Sequence, residues 1–255
     1  MSTPPLFFVD HLPAAPTLRL GGEEGHHAAR VRRLALGEAV YVADGLGGVA
    51  DCLVAGIRAD GLDLTVLDWR TLPLPDPYVT VVQAVPKGDR AELAIELMTE
   101  LGVDEVVPWV AARSVAQWRD GRAARALDKW RRTAREAAKQ SRRPRVPVIT
   151  ESATTAQVAA RLAGLAPLAG GCGLVLHEGA RDRLATVDLP AKGHIVIVVG
   201  PEGGISEQEC DAFRAAGART VRMGEPVMRT STAGAASLAA LSVRLGRWGS
   251  PARVR

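Results

Sequence analysis

The apolar run IVIVV at residues 195–199 is followed at once by GPEGG and then by ISEQECDAF. An uninterrupted, mostly β-branched run of this length predicts a strand covered on both faces in a parallel sheet. Ser206 with Glu209 three positions on predicts a capping box, Ile205 and Cys210 a hydrophobic staple, and Gly217 a left-handed helix stop. Residues 200–204 thus link the carboxyl end of a strand to the amino end of a helix, where open α/β sheets hold their ligands. The pattern recurs downstream. Residues 220–223 predict a short strand, 224–226 a second glycine-containing loop, and Ser231 or Thr232 the cap of an alanine-rich last helix, with Arg229 between loop and helix.

Upstream the pattern alternates as strand 78–85, helix 89–101 and strand 105–110, a βαβ unit and hence a parallel sheet. In that helix Leu93, Leu97 and Leu101 are expected to be buried and Glu92, Glu96 and Glu100 wet, with Asp89 and Glu92 at its start and Gly102 at its end. Leu127, Trp130, Ala134, Ala137 and Ala138 recur at helical spacing before Pro144. Residues 153–163 predict a further helix, 163–173 an irregular connection, and 173–177 a strand ending at His177-Glu178. Those two side chains fit equally well as strand terminators and as ligand contacts. Before residue 72, short β-type runs at 18–20, 39–43, 48–54 and 62–69 with one helix over 23–33 predict a small barrel. TLPLPDP at 71–77 holds three prolines and marks the boundary between domains 1–72 and 73–255.

Composition adds three constraints. With 47% hydrophobic residues the chain can bury a substantial core, which argues against global disorder. The longest apolar runs fall far short of the roughly 20 residues of a spanning helix, and the first residues carry neither a basic leader nor a long apolar stretch. Cys52, Cys172 and Cys210 are odd in number and widely spaced. The expectation is a cytoplasmic protein with no membrane segment, no disulfide framework and no metal site. The net charge of +4 is unevenly distributed: residues 113–145 hold twelve Lys or Arg against three acids, leaving the rest of the chain net acidic. Such a concentration suits a polyanionic partner, and equally a solvated arginine-rich helix.

GPEGG before a capped helix, then a glycine loop, then MRTSTA leading into the C-terminal helix, resembles the SPOUT class of RNA methyltransferases. More closely the chain is similar to the 16S ribosomal RNA uridine-N3 methyltransferase family. HHAARVRRLALGEAVYVADG (26–45) resembles that family's N-terminal RNA-binding domain, and KGDRAELAIELMTELGVDEVVP (87–108) and REAAKQSRRPRVPVI (135–149) its central motifs. Two departures are plain: Ser231 stands where many members carry an acidic residue, and Glu225-Pro226 where a proline-arginine pair is common. The resemblance implies a SPOUT domain with a parallel sheet and a C-terminal trefoil knot, an exception to the rule against threaded chains. A PUA-like β-barrel domain would precede it, in an enzyme working as a homodimer on 16S ribosomal RNA or the small ribosomal subunit. S-adenosylmethionine would be held by Leu176, His177, Glu178, Val199, Gly200, Pro201, Glu202, Gly203 and Gly204, and by Met223, Gly224, Val227, Met228, Thr230, Ser231, Thr232 and Ala233. RNA would meet His26, Arg30, Arg32 and Arg33 in the first domain, and Lys87, Arg90, Arg131, Arg132, Arg135, Gln140, Arg142 and Arg143 in the second.

The residues themselves narrow the chemistry. A glycine loop at a helix N-terminus also suits phosphates, but there is no GxxxxGK[ST], and no GxGxxG follows the first strand with an acid about twenty positions on. Glu202 inside the loop would repel a phosphate, whereas a sulfonium tolerates a carboxylate neighbour. Uridine N3 must lose a proton as it is methylated, and the charge spreads onto O2 and O4. For that chemistry, which the resemblance implies, Arg229 is the candidate catalytic residue that hydrogen-bonds the charge or places the substrate, the alternative being a structural role in holding a neighbouring carbonyl or carboxylate. Two alternatives stay open: a SPOUT enzyme acting on another RNA, and an inactive RNA-binding relative.

Overall fold

The computed structural model describes residues 3–88, 90–114, 122–166, 168 and 170–249. Asp89, expected at a helix start, and Arg119 and Asp120 of the basic segment lie outside these. The chain divides into two compact units, one of residues 1–74 with 138–146, the other of 75–137 with 147–255.

The first unit contains β1 (Leu6–Phe8), β2 (Thr17–Leu20), α1 (Gly22–His26), β3 (Ala39–Ala43), β4 (Gly48–Arg58) and β5 (Gly61–Thr71). The strands pair in the order β1-β3-β4-β5-β2, antiparallel except for β1 with β3. Alternation places Phe7, Leu20, Val42, Ala50, Leu62 and Leu64 in one interior. The helix expected over 23–33 is α-helical only to His26 and continues as a π-turn over His27–Val31, where the Arg32 N–H donates to His27 O at 2.9 Å. The widened turn keeps Ala28 in the core and leaves Arg30, Arg32 and Arg33 outside. Residues 138–146 belong here through specific bonds. Lys139 pairs with Glu24 at 2.7 Å and lies 5.6 Å from the Phe7 ring centre, and Arg145 Nη2 donates to Leu72 O at 2.8 Å.

The second unit runs β6 (Tyr78–Ala84), α2 (Arg90–Glu100), β7 (Glu105–Val110), α3 (Arg122–Gln140, whose end passes into the first unit), β8 (Val148–Ile149), β9 (Ala153–Thr154) and α4 (Thr155–Ala163). It continues through β10 (Gly171–Leu176), β11 (Asp182–Arg183), β12 (His194–Val199), α5 (Glu207–Ala215), β13 (Arg219–Arg222) and α6 (Thr230–Arg244). Every strand pair in this sheet is parallel, in the order β11-β13-β10-β12-β6-β7-β8, with β9 also on β7. Helices α4 and α5 cover one face, where Phe213 of α5 packs into one cluster with Val82, Trp109, Val175 and Val198 of the sheet. Helices α2 and α6 pack together over β6 and β12 on the other. A Cβ on Gly234 would lie 2.8 Å from Met98 Sδ, so glycine is what lets α6 sit this close to α2.

The expected apolar stripe of α2 is off by a step. Leu93 is exposed and Leu97 and Leu101 only half-buried, while Ala91, Ala94, Ile95 and Met98 are buried. Packing against α6 and the sheet selects the face with Ala91, Ala94, Ile95 and Met98, which the leucine spacing concealed. On α3, by contrast, Leu127, Trp130, Ala134, Ala137 and Ala138 are all buried.

At the amino ends of β12, β6 and β7, the Thr80 hydroxyl donates to Glu105 Oε2 at 2.7 Å and lies 2.8 Å from His194 Nε2, while Arg161 clamps Glu105. Since the Thr80 proton goes to Glu105, the imidazole donates from Nε2. Burial pushes the His194 pKa below its ordinary value, with Glu105 pulling the other way. The folded protein thus resists protonation of His194, so its contribution is complete above the unfolded value of roughly 6.5 and is lost as pH falls through the lowered folded value. Melting temperature is expected to decline from pH 7 downward, and His194→Gln to flatten that decline in a series of melts.

Candidate functional site

Strand β10 lies between β12 and β13 in a parallel array. The loops after Val199, Leu176 and Arg222 therefore emerge side by side at one edge, across about two strand spacings, or ~10 Å. Periodicity had found the three loops but not that the first in sequence sits between the other two.

The 200–204 loop is built tightly. A Cβ on Gly200 would come within 2.6 Å of Ile205 Cγ1, and Gly204 takes φ 74. A Cβ on Gly203 would lie 3.1 Å from both Cβ and O of Arg113, whose Nη1 donates to Gly203 O at 3.3 Å. Its lack of a side chain therefore serves packing against Arg113. Glu202 is exposed, and its Oε1 accepts the Lys87 N–H at 3.3 Å. Val199 and Pro201 are buried beneath.

The loop leads into the expected capping box. Ser206 Oγ accepts from the Glu209 N–H at 3.3 Å, and Glu209 Oε2 accepts from the Ser206 N–H at 3.0 Å and its hydroxyl at 2.8 Å. Glu209 does more than cap. Its Oε1 accepts from the Ala112 N–H at 2.8 Å and the Thr155 hydroxyl at 3.0 Å, and Thr155 in turn accepts from Trp109 Nε1. Burial of this carboxyl would raise its pKa, but the amides of Ala112 and Ser206 and the two hydroxyls outweigh that and hold it below the usual carboxylate range.

On the middle loop, Leu176 and His177 are half-buried and Glu178 is exposed. The Gly179 N–H donates to His177 Nδ1 at 3.0 Å, so the neutral ring carries its proton on Nε2 as a free-standing donor. The third loop is open: Gly224 and Val227 are exposed, Met228 is 39% exposed, and Met223 is half-buried. Among the described residues no chain partner takes the backbone N–H groups of Gly224, Glu225, Val227 and Met228.

The cap of α6 differs from expectation. Arg229 is the N-cap, extended at φ −65, ψ 148, and makes no side-chain capping bond; its carbonyl accepts from the N–H groups of Thr232 and Ala233. Thr230, Ser231 and Ala233 are buried in the first turn, with Thr232 exposed. The hydroxyls expected to cap thus lie inside the helix. Gln83, fully buried opposite Val199, donates from Nε2 to Thr230 O at 3.2 Å and so fixes the residue after Arg229. A glutamine near the end of the largely apolar run YVTVVQA was the signal for it. The Arg229 guanidinium is exposed and has no ion-pair or hydrogen-bond partner among the described residues.

The candidate RNA contacts fall into separate groups. His26, Arg30, Arg32 and Arg33 are exposed on the first unit, which also takes in Gln140, Arg142 and Arg143. Lys87 and Arg90 are exposed beyond the carboxyl end of β6, beside Glu202. On α3, Arg132 is exposed and Arg135 half-buried, while Arg131 is tied to Glu151 at 2.9 Å and Asp128 at 3.6 Å, which blunts its charge. No helix among the described residues is long and apolar enough to cross a membrane.

Comparison with known proteins bears on this geometry. Residues 73–242 match the model of an RNA methyltransferase domain and residues 20–67 that of an RNA methyltransferase PUA domain. The chain is 44% identical to ribosomal RNA small subunit methyltransferase E of Mycobacterium tuberculosis over 95% of its own length and 93% of the relative's. For the protein of that name from Bacillus subtilis the identity is 31%, covering 89% and 90%. The crystal structure of the Neisseria gonorrhoeae protein of that name, bound to S-adenosyl methionine, superposes with a TM-score of 0.82 at 25% identity, covering 95% of this chain and 98% of that one. A PUA-like first unit, a parallel α/β second unit and sequence identity along nearly the whole length agree: the chain belongs to the family of RNA methyltransferases whose curated members are called ribosomal RNA small subunit methyltransferase E.

Proposed function

We propose that this chain is an S-adenosylmethionine-dependent methyltransferase acting on N3 of one uridine in 16S ribosomal RNA of the small subunit, as a cytoplasmic homodimer. The observation that carries the reading is the row of three loops, the third followed by an exposed Arg229 that is unpaired among the described residues. The residues present fit the cofactor. The backbone N–H groups of Gly224, Glu225, Val227 and Met228, without a partner among the described residues, and the apolar side chains of Leu176, Met223, Val227 and Met228 suit an adenine, and the Glu202 carboxylate suits a cation and opposes a phosphate. When bound, S-adenosylmethionine supplies an electrophilic methyl group.

The chain's own residues do the rest. The His177 ring and the 200–204 backbone orient the cofactor, and Arg229, held by its neighbour's bond to Gln83, donates hydrogen bonds to O2 or O4 of the uracil as N3 loses its proton to water. Ser231, which stands where an acid is common in the family, is buried and cannot act as a base at the surface. Return of α6 to α2, β6 and β12 after β13 has paired with β10 supports the reading of a threaded C-terminal segment.

Two measurements test this. Calorimetry should show S-adenosylmethionine binding to the intact chain. Mass-spectrometric mapping of ribosomal RNA from a deletion strain should show loss of one N3-methyluridine from the small subunit, restored by the wild-type chain; an intact modification map, or a lost methyl on another RNA, would overturn the assignment.

A further inference from the structure

On the first unit, Pro5, Leu6, Phe7, His27, Arg32, Lys139, Gln140 and Arg142 line a small cleft of about 60 Å³. Of its three strong cations, Lys139 is already neutralised, paired with Glu24 with both side chains largely buried. Arg32 and Arg142 are exposed and have no carboxylate partner among the described residues.

The backbone at Arg142 is the second observation. The Arg143 N–H donates to Ala138 O at 2.7 Å and the Arg142 N–H to Lys139 O at 3.2 Å, the hydrogen bonds of a helix stop that places Arg142 at its left-handed position, with φ 55. Glycine is the residue that fits there without strain, and a side chain destabilises the turn. An arginine at that position spends folding stability on a guanidinium that makes no ion pair among the described residues.

We infer that this cleft seats a phosphodiester of the RNA backbone, gripped between Arg32 and Arg142, with Gln140 and the His27 ring beside it as further hydrogen-bonding groups. Lys139 serves as the strut that holds the 138–146 segment against Phe7. The size of the cleft suits a phosphate group and excludes a whole nucleobase. The inference rests on the proposed RNA substrate and adds where the first unit holds it.

The test uses the full chain, without cofactor, and a fluorescent single-stranded RNA of small-subunit sequence in a salt titration read by anisotropy. Arg32→Gln and Arg142→Gly should each reduce the log–log salt slope by about 0.7, and the double variant by about twice that. Arg142→Gly should also melt at or above the wild-type temperature, because it relieves the left-handed backbone; weaker RNA binding with undiminished stability is a pair of results that a structural arginine does not give. Slopes unchanged in both variants against a salt-dependent wild type, or a lowered melting temperature in Arg142→Gly, would overturn the phosphate seat while leaving the enzyme assignment intact. A wild-type chain that binds no RNA would overturn both.

Discussion

Arg229→Ala is expected to lower single-turnover methylation at saturating cofactor by about 10²–10³, with cofactor affinity and melting temperature near wild type. The expectation follows from exposure and lack of partners: the guanidinium supports no carbonyl, carboxylate or cap within the described chain, so its removal leaves no buried group unsatisfied. In the proposed reaction, charge on the uracil oxygens develops only as N3 is methylated, so the donor stabilises the transition state more than the bound substrate. Arg229→Lys should recover only part of the rate, since an ammonium lacks the planar fork that reaches O2 or O4 while keeping a second contact. A normal single-turnover rate in the alanine variant would end the catalytic assignment.

Glu209→Ala should give the opposite signature. Four donors converge on this carboxylate from the cap of α5, the loop after β7 and the start of α4, and truncation leaves several of them buried and unpaired. A loss of about 3–5 kcal/mol in denaturant unfolding is expected, with cofactor affinity falling because the 200–204 loop loses its anchor. Glu209→Gln should recover part of this, since one amide oxygen can still accept on one side while its NH₂ opposes donors on the other. Because the folded carboxyl titrates below its ordinary value, its contribution is present above about pH 4.5 and disappears as pH falls through the lowered value, so wild type and Glu209→Gln should converge in stability in acid. Equal unfolding midpoints for Glu209→Ala and wild type at neutral pH would refute the role.

The contrast between the two residues shows what sequence can disclose. Ser206 and Glu209 were legible because capping is local, three residues apart on one helix. The other donors to Glu209, at Ala112 and Thr155, were not, because only the tertiary fold brings positions about 50 and 100 residues distant to one carboxylate. Arg229 was picked out by motif position, but its place as N-cap was obscured by Ser231 and Thr232, better capping residues that the structure carries into the helix. The leucines of α2 misled for a similar reason: volume suggested the buried face, while close approach of α6 chose alanine and methionine. In the first unit the β-type runs at 39–43, 48–54 and 62–69 pointed to β3, β4 and β5, the last two of which extend further than those runs, whereas β1, three residues long, and the return of 138–146 carried no periodic signal.

The placement of β10 has a consequence for biosynthesis. Both of its neighbours, β12 and β13, are made after it, and β13 is the later of the two. A nascent chain that has not yet reached residue 219 exposes one edge of an apolar parallel strand, the kind of surface that recruits other unfinished chains. Products of premature termination between β12 and β13 should therefore enter inclusion bodies or be cleared by proteases, and none could accumulate as a soluble competitor of the full-length enzyme.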